Sequence, residues 1–329
     1  MKTIELRGAG TLALSLLLSA PAALAQTAAS YPSRPITLIV PYTPGSGIDI
    51  LARAIAPKLN QKWGHPVVVD NKPGASGIIG AEAVAKAAPN GYTLMVTVNS
   101  FTMAPPLYKN MPYDPIADFA PIAKIAIASY AFAVNPAVVP ARDLSEFLAT
   151  VKAKPGELNY GSPGNGTPHH LAMELMKLRL GLQIVHVPYK GLSGAMTDLL
   201  GGQVQMMFAP VHALLPNARA GKLKFLAVTG PRRSPFAPDA PTFRERGFDF
   251  MDDIDAWYAV MGPARLPRDV VAKVNAELRA IMFSADVREQ LTNQGLVPVA
   301  STPEELAALI KADLLRWAKV VAEAKISAD

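Results

Sequence analysis

The 329-residue chain carries 32 Lys and Arg against 26 Asp and Glu, a formal charge of +6, and half of its residues are hydrophobic. It contains no cysteine, which excludes disulfides, zinc–thiolate sites, thiol nucleophiles and lipidation behind a leader. The basic residues are scattered, with only Arg232 and Arg233 adjacent and no aromatic interleaving, so nucleic acid is excluded as a partner.

Residues 1–25 read as a secretory signal peptide. Lys2 and Arg7 precede an apolar run from Ala9 to Leu18, and Ala23-Leu24-Ala25 forms a small-x-small cleavage site. The run is too short for a membrane span, and no later segment is apolar for long enough to span a bilayer. The expected mature protein is therefore soluble, mildly basic and periplasmic, with enough chain for two domains with real cores.

Ile36 to Val40 is an unbroken apolar run of the kind that becomes a buried parallel strand. It delivers Pro41-Tyr-Thr-Pro-Gly-Ser-Gly-Ile-Asp49 to a helix carrying Ile50, Leu51, Ala54, Ile55 and Leu59. Asp49 can reach a ligand hydroxyl or ammonium, or satisfy backbone amides in the first turn. Pro66 to Val69 is the second strand, and Asp70 to Gly77 leads to a helix through Ile78 and Val84. Gly74, Gly77 and Gly80 lack the close glycine pair of a dinucleotide fingerprint. Tyr92 to Val98 is a third buried strand that ends at Ser100, a ligand donor or a helix cap.

A proline- and aromatic-rich stretch follows, and strands at Ile122–Ile127 and Ala131–Val134 carry the chain into a second domain. Asp143-Leu-Ser-Glu146 opens a helix with a capping box. The segment Asn159-Tyr-Gly-Ser-Pro-Gly-Asn-Gly-Thr-Pro-His-His-Leu171 is the one around which the reading turns. A strand ends near Tyr160, three glycines make a loop without bulky Cβ atoms, Thr167 is placed to cap a helix and Pro168 to occupy its first position. Free amides and the positive end of a helix dipole then make an anion pocket. Thr167 stands where a P-loop needs lysine, so this is no nucleotide site.

Ile184 to Val187 is another strand, followed by Pro188-Tyr-Lys-Gly-Leu-Ser-Gly194 and a helix; Tyr189 offers a ring face and a hydroxyl. Val204–Phe208 and Phe225–Thr229 are strands, the latter able to return the chain to the first domain. Trp257–Met261 is strand-like, Asp269–Met282 is helical, and Thr302-Pro-Glu-Glu305 caps a long terminal helix. Parallel strands collect their loops at the carboxyl ends, where ligands lie. The loops carry hydroxyls, amides and Tyr side chains but few charges, which suits holding an anion rather than transforming it. A hydrolase reading needs Ser162 with His169 or His170, yet the G-x-S-x-G elbow is missing. Adjacent histidines on a helix point about 100° apart, which excludes a metal pair there. His170 packs near the loop or contacts the ligand, and His186 is a core or interface residue. No metal, no cofactor and no catalytic residue is expected.

Seven segments, in order, resemble the Bug-type extracytoplasmic receptors of tripartite tricarboxylate transporters. They are residues 44–53 (Pro-Gly-Ser-Gly-Ile-Asp-Ile-Leu-Ala-Arg), 70–77, 90–94, 160–171, 186–191 (His-Val-Pro-Tyr-Lys-Gly), 199–204 and 221–229. The resemblance implies an α/β, two-lobed periplasmic-binding-protein fold of type II, each lobe a mixed, mostly parallel sheet flanked by helices. Residues 31–126 with 228–329 would form lobe 1, and 127–227 lobe 2. A small carboxylate would lie between the lobes, with water bridging it to the loops. By that resemblance Tyr42, Thr43, Asp49 and Ser76 would face one side of it, and Ser162, Asn165, Gly166, Thr167 and Tyr189 the other; the reading of the residues themselves adds Ser100 and His170 as candidates. The implied protein is a monomer that hands its ligand to integral membrane carrier subunits, or as a sensor to a kinase. Two departures from the family pattern stand out: Ser46 replaces the second glycine of Pro-Gly-Gly and narrows the first loop, and Asn90 replaces an aspartate.

Overall fold

The computed structural model describes residues 31–326; the expected signal peptide lies outside them. Three strand–helix units come first: β1 (Ile36–Val40) with α1 (Gly47–Trp63), β2 (Val67–Asn71) with α2 (Ile78–Ala85), and β3 (Thr93–Val98) with the short α3 (Ser100–Met103). β4 (Phe119–Ala128) and β5 (Tyr130–Val134) are separated by Ser129 alone, and α4 (Leu144–Ala153) follows. Three further units are β6 (Asn159–Ser162) with α5 (Pro168–Leu180), β7 (Val185–Pro188) with α6 (Leu192–Leu200), and β8 (Met206–Pro210) with α7 (Val211–Arg219). β9 (Lys224–Val228), β10 (Ala256–Pro263), α8 (Arg268–Met282), α9 (Ala285–Asn293), β11 (Val297–Pro298) and α10 (Pro303–Glu323) complete the order.

The strands form two sheets, ordered β11-β4-β10-β3-β1-β2 and β7-β6-β8-β5-β9. In the first, β1 is parallel to β2 and β3, while β10 runs antiparallel to β3 and β4. In the second, β6 is parallel to β7 and β8, and β5 is antiparallel to β8 and β9. Each sheet therefore sends the carboxyl ends of three parallel strands, with the helix starts that follow them, toward one edge. The chain changes sheet at Ser129 and returns between Val228 and Ala256. The strand expected to bring it back, Phe225–Thr229, is β9 and still pairs with β5.

Local chemistry explains the boundaries. Thr167 accepts from the His170 amide at 3.5 Å, Pro168 takes the first position, and Gly181 closes α5 at φ 64°. α10 opens with the full Thr302–Glu305 capping box. β10 is buried along its whole length because both neighbours and both faces are covered. Leu38, Val96 and Ile125 of the first sheet share one continuous apolar cluster with Phe132 and Phe208 of the second and with Leu171 of α5. Each such side chain, fully buried, contributes about 1.5–3 kcal/mol. α7 and α9 were not anticipated from the sequence; Pro216 lies inside α7, where a proline normally argues against a helix.

Candidate ligand-binding site

A cavity of about 570 Å³ lies between the two sets of loops. Besides the short α3 with Ser100, four longer helices put their first residues on it: α1 with Ser46, Gly47 and Ile48, α5 with Thr167, Pro168 and His169, α6 with Gly191 and Leu192, and α7 with Pro210, His212 and Ala213. The first four amides of a helix have no partner within it, and the aligned peptides place roughly half a positive charge there. Four such ends on one space make a field for an anion. A second cavity of about 410 Å³ lies against the start of α10, but there the capping box already engages the cap residues.

Tyr42, Thr43, Ser76, Ser100 and Thr167 all line the larger cavity. The Tyr42 hydroxyl donates to the Ser76 carbonyl at 2.9 Å, so the hydroxyl of buried Ser100 donates to Tyr42 in turn. Burial pushes the Tyr42 phenol up to about 12, partly offset by Ser100, and keeps it protonated. Ser46 also lines the cavity, yet its hydroxyl makes no cap and is buried without a partner.

The other six expected residues lie elsewhere, each for a physical reason. Asp49 Oδ2 accepts from the Gly45 amide at 2.8 Å and Arg53 Nε at 3.0 Å, and its Oδ1 accepts from Asn71 Nδ2 at 2.9 Å. Burial would raise this carboxyl, but those donors outweigh it and hold it below the usual range. Asp49 thus locks the β1–α1 loop. Ser162 is buried, with Oγ 2.7 Å from His186 Nε2 and in contact with Gly164. Asn165 is exposed outside the cavity. Gly166 has φ 72°, and a Cβ there would stand 2.4 Å from Leu107 Cδ1, so this glycine answers to a close approach of the neighbouring unit. His170 Nδ1 accepts from the Gly166 amide at 3.0 Å, and its ring stacks on His186 at 4.1 Å. The Tyr189 hydroxyl donates to Asp198 at 2.6 Å; burial and that bond push its phenol up to about 12.

The hydrolase reading finds a different geometry from the one expected, since the partner of Ser162 is His186. Burial, with His170 alongside, lowers that imidazole to about 3. A base that weak cannot take the serine proton near neutral pH, and Ser162 is fully covered. Among the described residues no group of three or more His, Asp or Glu is arranged to hold a metal.

The cavity gains residues the sequence did not signal. Tyr130 and Tyr258 line it with side chains only 2% and 5% exposed. Among the described residues neither hydroxyl has a partner, and neither is sealed off, so both are available there as donors. A Cβ on Gly47 would sit 3.1 Å from the Tyr258 hydroxyl, which places that donor beside the start of α1. His169 and His212 also line the cavity, each with a buried, unpartnered Nδ1. Burial lowers His169 to about 3 and lowers His212 too, so both are neutral. Lys190 is the one Asp, Glu, Lys or Arg among the lining residues.

Comparison with known proteins decides what this arrangement belongs to. The model of the tripartite tricarboxylate transporter family receptor matches residues 51–326. The chain belongs to that family. It is 36% identical over 300 residues to Protein BugT of Bordetella pertussis, covering 90% of this chain and 91% of that protein. Among solved structures it resembles R. palustris Rpa4515 with adipate at 33% identity and a TM-score of 0.80, covering 90% of this chain and 99% of the other. It also resembles MatC from Rhodopseudomonas palustris with bound malate, at 32% identity and a TM-score of 0.76, covering 88% and 100%. Receptors of this family are solute-binding proteins and not enzymes, and the two-sheet α/β architecture is that of periplasmic binding proteins. In this family receptor no described helix is long and apolar enough to cross a membrane.

Proposed function

We propose that this protein is an extracytoplasmic receptor that captures a small organic acid between its two lobes and delivers it to the membrane carrier of a tripartite transporter. The observation that carries the reading is the meeting of four helix starts, from both sheets, on one cavity. The adipate and malate bound by the two related structures support a carboxylate as the ligand class. Export through the signal peptide at 1–25 brings the chain to the compartment where such ligands arrive. The proposed lobes are residues 31–126 with 228–329 and residues 127–227; the change of sheet at Ser129 and after Val228 supports that division. Closure of a monomer about those crossings would let both lobes contact one ligand, and the closed state gains only from contacts made by both.

The test is thermal denaturation of the mature protein with a panel of mono-, di- and tricarboxylates, followed by calorimetry. A true ligand at a hundredfold its Kd stabilises by about 2.7 kcal/mol. A panel that leaves the midpoint unmoved throughout would remove the carboxylate reading.

A further inference from the structure

Recognition of a diacid poses a problem that the helix starts alone solve only by half. Partial charges and hydroxyls can seat one carboxylate, as Tyr258 and the start of α1 are placed to do. A second carboxylate drawn into the cleft loses its hydration and needs a full counter-charge. Few groups can provide one. Arg53 is committed to Asp49, and the imidazoles of His169 and His212 are kept neutral by burial. Lys190 remains. It is exposed on the cavity wall and has no carboxylate partner among the described residues.

Its placement is built into the turn that carries it. The preceding Tyr189 is pinned on three sides: its hydroxyl to Asp198 at 2.6 Å, its amide to the Ser162 carbonyl at 2.9 Å, and its ring against Gly161 and Gly194. α6 begins immediately after Gly191. With the backbone held on both sides, Lys190 is kept on the cavity wall, within reach of a ligand there, while the Tyr189 hydroxyl is tied to Asp198. We propose that Lys190 is the specificity-determining residue of this receptor, pairing with the second carboxylate of a diacid and setting its preference over a monoacid of the same length.

This inference rests on the receptor reading, and calorimetry on the full mature chain separates the two. Matched pairs from four to eight carbons, such as adipate and hexanoate, are titrated into wild type, Lys190→Met, Lys190→Arg and Tyr258→Phe, with Lys222→Met as a remote charge control. Wild type is expected to prefer adipate at least tenfold. Lys190→Met should lower that ratio at least tenfold, Lys190→Arg should restore most of it, and Lys222→Met should leave it as in wild type. Tyr258→Phe should weaken both acids alike, as befits a seat for the carboxylate they share. Equal weakening of both acids by Lys190→Met, or an unchanged ratio, overturns the role of Lys190 while the receptor reading stands. Wild type binding no member of any pair would overturn the receptor reading and this inference with it.

Discussion

Asp49 and three histidines show how a residue's role follows from its partners rather than its type. Removing Asp49 as a side chain leaves the Gly45 amide, Arg53 and Asn71 without their common acceptor. Hydrogen bonds to a charged group contribute about 1.5–3 kcal/mol each, so Asp49→Ala is expected to lower stability by at least about 2 kcal/mol in urea denaturation. An unchanged midpoint would mean the loop is held by something else. The histidines act through pH. His169, His170 and His186 are lowered by burial to about 3, 4 and 3, against about 6.5 when unfolded. Below pH 6.5 the unfolded chain takes up protons that the fold refuses, so their contribution falls with pH until the folded values are reached. His169 is the informative one, since its Nδ1 has no partner and its ring meets Tyr130 edge-on at 5.3 Å. Replacing it with Phe should shrink the stability lost between pH 7.5 and 5 by up to about 2 kcal/mol. A loss as large as in wild type would contradict a neutral, buried His169.

At the scale of elements, α5 joins the two units as well as opening on the cleft. Its preceding loop approaches Leu107 so closely at Gly166 that any side chain meets the Leu107 methyl, and φ 72° adds backbone strain. The left-handed backbone alone costs about 1–2 kcal/mol for a residue with a Cβ. Gly166→Ala should therefore destabilise, and by less in a Leu107→Ala background, because only the contact is relieved there. A double-mutant cycle with no coupling would show that the loop yields freely. The start of α5 was legible because Thr167 and Pro168 each leave a chemical mark on their position. The reason for Gly166 was not, since a glycine that admits a ligand and one that admits a leucine read the same. Strands β1, β3 and β6 announced themselves by apolar runs or by the glycines that follow. The passage from β8 to α7 did not, because Ala-Pro-Val-His carries no glycine and Pro216 argues against the helix that forms. Tyr189 and Lys190 show the finest limit. Adjacent residues on a turn face opposite ways, and the hydrogen bond to Asp198 that decides between them arises only in the fold.

Across the whole molecule, two passages of chain link the two sheets, one at Ser129 and one from Thr229 to Asp255, and they meet at Asp255. Ser129 lies between β4 and β5, Thr229 follows β9, and Asp255 precedes β10. The Thr229 hydroxyl donates to Asp255 Oδ1 at 2.7 Å and accepts from the Tyr130 amide at 2.9 Å, the Thr229 amide donates to the Tyr130 carbonyl at 2.9 Å, and the Ser129 hydroxyl lies beside the same carboxyl. Asn99 Nδ2 donates to the Asp255 carbonyl at 3.4 Å from the β3–α3 turn. Burial pushes the carboxyl up to about 6, with Asp253 and Asp252 adding to it and the two hydroxyls opposing. The unfolded value is 3.8, so the folded state favours the protonated acid, and ionisation costs stability as pH rises through 6. By pH 7.5 that cost is about 3 kcal/mol. Asp255→Asn keeps an oxygen for one hydroxyl and removes the charge. The variant is expected to be more stable than wild type at pH 7.5, with an advantage that shrinks toward pH 4.5 as the wild-type acid takes up its proton. Urea denaturation at the two pH values measures both terms. A variant less stable by the same amount at each pH would show that the linkage is held by the charge on Asp255, and that the crossing between lobes is tightest when this carboxylate is ionised.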